Sequence, residues 1–137
     1  MPKVETGSDD TLYQGPWLTV RAMTLPGGRR PAKEWHDSLD KRGKGQFAAA
    51  FATLEASLSS GRPPAGRMSR VTTSAQGLSE VRVTKAGGTP PHLRVFAVRE
   101  GRTLWLATGI TKTSNRLDPR DIAEADGIVG TWREERS

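Results

Sequence analysis

Three stretches of this sequence, SEVRV, HLRVFAV and ITKTSNR, carry side chains whose types and spacing suit contact with a polyanion. In HLRVFAV, Leu93, Val95 and Ala97 alternate with Arg94, Phe96 and Val98, so a strand there is apolar on both sides except at one guanidinium. Phosphate would account for such a charge, because arginine presents a planar set of donors that engages two phosphate oxygens. His92 falls on the same strand face as Arg94, and histidine is the side-chain type suited to proton exchange near neutral pH, which makes it an acid/base candidate. As the residue after Pro90-Pro91 it also reads as a plain loop end. Arg82 follows Glu80 by two and shares a face with it, either as an ion pair or as part of an anion site. Lys112 stands just past a second apolar stretch, LWLA, where loops place binding groups. Arg116 and Lys85 extend a basic rim for phosphates, RNA among them.

Composition agrees with that chemistry. Lys and Arg number 21 against 15 acids, for a net charge of +6 over 137 residues, a balance that favours RNA, DNA or an acidic protein segment. There is no cysteine, which excludes disulfides, thiolate nucleophiles and cysteine-type zinc sites. The two histidines, His36 and His92, are not joined by carboxylates at ligand spacing, so neither metal nor other cofactor is expected. The opening residues lack a basic start followed by an apolar stretch, and FAAAFATL is too short to span a bilayer. A soluble cytoplasmic protein with no membrane partner is expected.

The elements that must position these side chains are read from periodicity. Residues 1–15 show no sustained period and end in Gly15-Pro16, which predicts a flexible N-terminal arm before a single domain over 16–137. Trp17 to Met23 predicts a strand, and Pro31 opens a short helix with Trp35 and Leu39 on one face, ending by Gly43. Phe47, Phe51, Leu54 and Leu58 repeat at helical spacing until Gly61 and Pro63. Leu78–Val83, His92–Arg99 and Thr103–Thr108 predict strands, the last two forming a hairpin around Glu100-Gly101-Arg102. Asp118 caps a final helix with Ile122, Ala125, Val129 and Trp132 on one face, in which Gly127 and Gly130 favour a kink or fraying unless packed. The fold class expected is α+β, a small antiparallel sheet packed against helices in the order β-α-α-β-β-β-α. Phe51, Leu54, Leu58, Val95, Leu104, Leu106 and Ile122 are expected in the core.

Taken in order, GRRPAKEWHDSL, SEVRV with HLRVFAV, and LWLATGITKTSNRLDPRDIAEA resemble the HigB-like branch of the RelE/ParE superfamily, over roughly residues 17–133. The resemblance implies a RelE-like fold and the toxin of a type II toxin–antitoxin pair. Such a toxin is an mRNA endoribonuclease, ribosome-dependent or free, that inhibits translation until a cognate antitoxin neutralises it. It further implies an antitoxin of helix-turn-helix type and contact with DNA only through that antitoxin. The matching positions are Arg82, Arg94 and Lys112. Thr113 stands where the family tends to have a second lysine, and Ile110 where it tends to have phenylalanine.

Cutting RNA without a metal needs the 2′-hydroxyl deprotonated, the charge on phosphorus spread, and the departing 5′ oxygen protonated. On the implied assignment Arg94 stabilises the pentacoordinate state, Arg82 supports it, and Lys112 relieves charge or exchanges a proton, with His92 as a further acid/base candidate. His36 reads as structural or exposed. Tyr13 lies in the arm, and Trp17, Trp105 and Phe96 fit core packing better than base stacking. The rival expectation is a non-catalytic interaction protein, either a ParE-like gyrase poison or a decayed toxin acting with its antitoxin on DNA.

Overall fold

The computed structural model describes residues 10–64, 66–85, 87–114 and 116–137. Strands β1 (Thr11–Gln14) and β2 (Thr19–Ala22) come first, then helices α1 (Pro31–Ser38) and α2 (Lys41–Ser59). Strands β3 (Met68–Arg70), β4 (Ser79–Arg82), β5 (His92–Glu100) and β6 (Thr103–Lys112) follow, and helix α3 (Pro119–Arg136) closes the chain. The fold is α+β, with one six-stranded sheet in the order β1-β2-β6-β5-β4-β3.

β5 and β6 form the expected hairpin, with Glu100 opposite Thr103 and Gly101 at φ 60°, the backbone region that a two-residue connection demands of glycine. Because β5 is central, both of its faces are covered. Leu93, Val95 and Ala97 pack with Phe47, Phe51 and Leu54 of α2, while Phe96 and Val98 pack with Ile122, Ala125, Val129 and Trp132 of α3. All seven core residues expected from periodicity are buried. α3 runs unbroken through Gly127 and Gly130 because Val129 and Trp132 bury against the sheet beside them, which outweighs the propensity cost of the two glycines.

Three expectations are corrected. The sheet is not wholly antiparallel. β2 lies parallel to β6, with Thr19 opposite Thr103 and Ala22 opposite Leu106, a register that sets Val20 and Ala22 on the same buried side as Leu104 and Leu106. The order is β-β-α-α-β-β-β-β-α, two strands more than expected. The expected 1–15 arm lies outside the described residues through residue 9, and Thr11–Gln14 is a strand paired antiparallel with β2, so the folded unit begins before residue 16. α1 ends at Ser38, before Gly43 as expected, and Gly43 itself lies inside α2, where its N–H donates to the capping Asp40 carboxylate at 2.7 Å.

Glu55 holds the added strand in place. It lies on the inner face of α2, 7% exposed, and accepts the Tyr13 hydroxyl at 2.6 Å and the backbone N–H groups of Trp17 and Leu18, each at 2.7 Å. Any side chain at Gly15 would collide with that carboxylate. Burial alone would raise the carboxyl's pKa, but the hydrogen bonds from Tyr13, Leu18 and Trp17 outweigh it and hold the pKa below the ordinary glutamate value. Burial, the hydrogen bond to Glu55 and its negative charge push the Tyr13 phenol up to about 12.

Tyr13 is the only tyrosine, so phenolate absorbance reports it alone. It is expected to titrate near pH 12 and to fall toward 10 in Glu55→Gln; titration near 10 in the native protein would break the assigned contact. Because the folded pKa of Glu55 lies below its unfolded value, its contribution is full above the ordinary glutamate value of about 4.3 and is lost as pH falls through the folded pKa. Glu55→Gln should flatten that acid-side loss.

Candidate functional site

The hairpin register decides which candidates meet. His92 of β5 stands opposite Lys112 of β6, and Arg94 stands between Arg82 of β4 and Ile110 of β6. Glu80 lies opposite Phe96, one row further along β4 and diagonal to Arg94. Opposed residues share a face, so His92, Lys112, Arg82, Arg94 and Glu80 all occupy the α3 side of the sheet, at the end where α3 begins.

Arg94 is 2% exposed, and its guanidinium does not face solvent. One terminal nitrogen donates to the Thr84 carbonyl at 3.2 Å, the Thr84 hydroxyl at 3.2 Å and the Leu93 carbonyl at 3.0 Å. Burial lowers its pKa, the Glu80 charge opposes that shift, and the Arg82 charge adds to it. Arg94, expected to contact phosphate directly, is therefore committed to the end of the β4–β5 pair. Thr84 completes the clamp, since its hydroxyl also accepts the Leu93 N–H at 3.0 Å.

Arg82 is partly exposed and reaches outward, donating to the Ser69 hydroxyl at 3.0 Å and the Gly66 carbonyl at 3.3 Å. The Glu80–Arg82 pair read from the sequence is present at 3.9 Å, but Glu80 is 8% exposed rather than at the surface, because β4 flanks the central strand. His92 is 3% exposed, and its Nδ1 has no hydrogen-bond partner among the described residues. Lys112 is half-buried and donates from Nζ to the Arg116 carbonyl, which ties the two candidates together. They open onto a cavity of about 400 Å³ that Leu117, Asp118 and Asp121 also line.

Lys85 does not join this group. It lines a separate cavity with Arg42 and Arg67, between α2 and the segment after β4, because the chain turns at the end of β4 toward the α2 side. His36 packs edge-on against Phe47 with ring centroids 4.6 Å apart, and burial lowers its pKa, which fits a structural role. Among the described residues, no group of three His, Asp or Glu side chains is placed to hold a metal ion, and no helix is long and apolar enough to cross a membrane.

Sequence reasoning missed Thr84 and the burial of Glu80. The signal for Glu80 was available: an acid two residues before Arg82, in a strand that pairs with a strand apolar on both faces, must itself be covered. Thr84 carried none, since Arg94 reaches backbone carbonyls there, of Thr84 and Leu93, as well as the Thr84 hydroxyl. No family model matches the chain, and no curated protein matches it.

If Arg94 is a buried clamp, removing its partners costs stability before it costs anything else. Thr84→Val is expected to lower unfolding free energy by about 1–3 kcal/mol, and Arg94→Ala by about 3 kcal/mol or more, read from urea midpoints. An Arg94→Ala protein as stable as the native one would show that the guanidinium is not held as described.

Proposed function

We propose that this chain is the toxin of a type II toxin–antitoxin pair, an mRNA endoribonuclease of HigB-like character that works in the cytoplasm without a metal. The observation that carries the proposal is the pairing of rows on one sheet face, His92 opposite Lys112 and Arg82 opposite Arg94. Cations and an imidazole at that spacing match the three demands of 2′-hydroxyl attack.

The roles differ from those expected of the bare sequence. Lys112, at the mouth, neutralises charge on the phosphate, and Arg116 beside it holds a flanking phosphate. His92 is the group assigned to proton exchange; its Nδ1 is buried and has no hydrogen-bond partner among the described residues, so RNA must displace the covering segment to reach it. Arg94 acts from beneath as a fixed positive charge whose field is little screened in the interior, so it is a positioning residue rather than a ligand. Arg82 contributes its partly exposed guanidinium from the next strand. An antitoxin of helix-turn-helix type neutralises the toxin and is its link to DNA.

One observation favours the non-catalytic alternative. The hydrogen bonds from Arg94 to Thr84 and Leu93 are those of a structural arginine, which a binding protein would keep as readily as a nuclease. Activity separates the two. Purified protein is expected to cut transcripts in excess chelator. His92→Asn and Lys112→Ala should slow cutting by about 100-fold or more with RNA affinity little changed. Arg116→Ala should mainly weaken binding and lessen its salt dependence. Growth arrest on expression with transcripts left intact would move the assignment to the interaction protein.

A further inference from the structure

On the opposite side of the sheet, two adjoining cavities of about 440 and 350 Å³ share Arg42, Gln46 and Thr89 in their walls. Together they make one groove between α2 and the segment joining β4 to β5. Arg42, Gln46 and Ala50 recur at helical spacing along its α2 wall, a run of about 12 Å, enough for roughly four residues of extended chain. Leu39, Pro90, Pro91 and Leu93 supply an apolar floor, while Arg42, Arg67 and Lys85 are the cations of the rim. The one acid among the described residues that line it, Asp40, is already used as the α2 cap.

Helix α2 adds an independent sign of an anionic partner. Lys41, Arg42 and Lys44 crowd its start, and its first turn holds no acid. Cations at the positive end of a helix dipole work against the helix, and the capping Asp40 supplies one negative charge against these three, which leaves the end of the groove net positive. We propose that the groove binds a segment of a partner protein that carries acidic side chains between apolar ones. The floor accounts for the apolar half and the rim for the acidic half. Single-stranded RNA fits less well, because no aromatic side chain among the described residues lines the groove to stack a base. The proposal does not depend on whether the chain cuts RNA.

Random peptides displayed on phage, selected on the full chain, supply the probe. Enriched peptides are expected to alternate acids with apolar residues, and their binding should fall about tenfold or more in Arg42→Glu and in Ala49→Trp, which fills the groove from an exposed helix position. Arg42→Glu places an acid in the first turn, so its thermal midpoint should hold or rise while binding is lost, which separates recognition from folding. No enrichment, enriched peptides without acids, or binding that both variants leave intact overturns the proposal. So does an oligouridine that binds more tightly than the peptide and is lost in the same variants, which would assign the groove to RNA.

Discussion

A positive charge in the middle strand of a sheet covered on both faces has to be satisfied from within, and the arrangement around Arg94 follows from that constraint. Its guanidinium must find acceptors near the end of β5, and among them are the Leu93 carbonyl and the carbonyl and hydroxyl of Thr84. Meeting them fixes the exit of β4. The same charge makes the burial of Glu80 tolerable, since a carboxylate beside a guanidinium escapes the cost of lone burial. Lys112 and His92 then sit one row beyond that buried charge.

Glu55 plays the corresponding part at the other edge of the molecule. Its three donors come from the end of β1 and the turn into β2, so one carboxylate on α2 fastens a short edge strand that has little apolar surface of its own. The two buried charges lie on opposite faces of the sheet, Glu55 among the residues packed by α2 and Arg94 on the α3 side. Each works by gathering backbone groups that would otherwise need water. Between them the sheet separates two charged surfaces, one around Lys112 and Arg116, where Asp118 and Asp121 also stand, and a basic one along α2.

Elements whose signal is local were readable in advance. The α2 periodicity, the Asp118 cap, the β5–β6 hairpin and the core positions from Phe51 to Ile122 all rest on neighbours within a few residues. What was not readable depends on distant pairing. β1 looks like polar chain until Glu55, about forty positions later, supplies its acceptor, and the parallel register of β2 on β6 spans most of the sequence. For the site, the oddity of a charge at Arg94 was legible from strand alternation, and so was the shared face with His92. The acceptors that bury Arg94 were not, being largely backbone. The side on which Lys85 emerges was not legible either, because a residue past a strand end belongs to no alternating pattern.

The central claim is that the His92–Lys112 row forms an RNA site over a guanidinium that stays buried. Magnetic resonance can follow these side chains separately while a short RNA made uncleavable by 2′-O-methylation is added. The account predicts chemical-shift changes at His92, Lys112 and Arg116, with the Arg94 side-chain N–H exchanging slowly with water throughout. Rapid exchange at Arg94, or shift changes that leave His92 and Lys112 untouched, would contradict it.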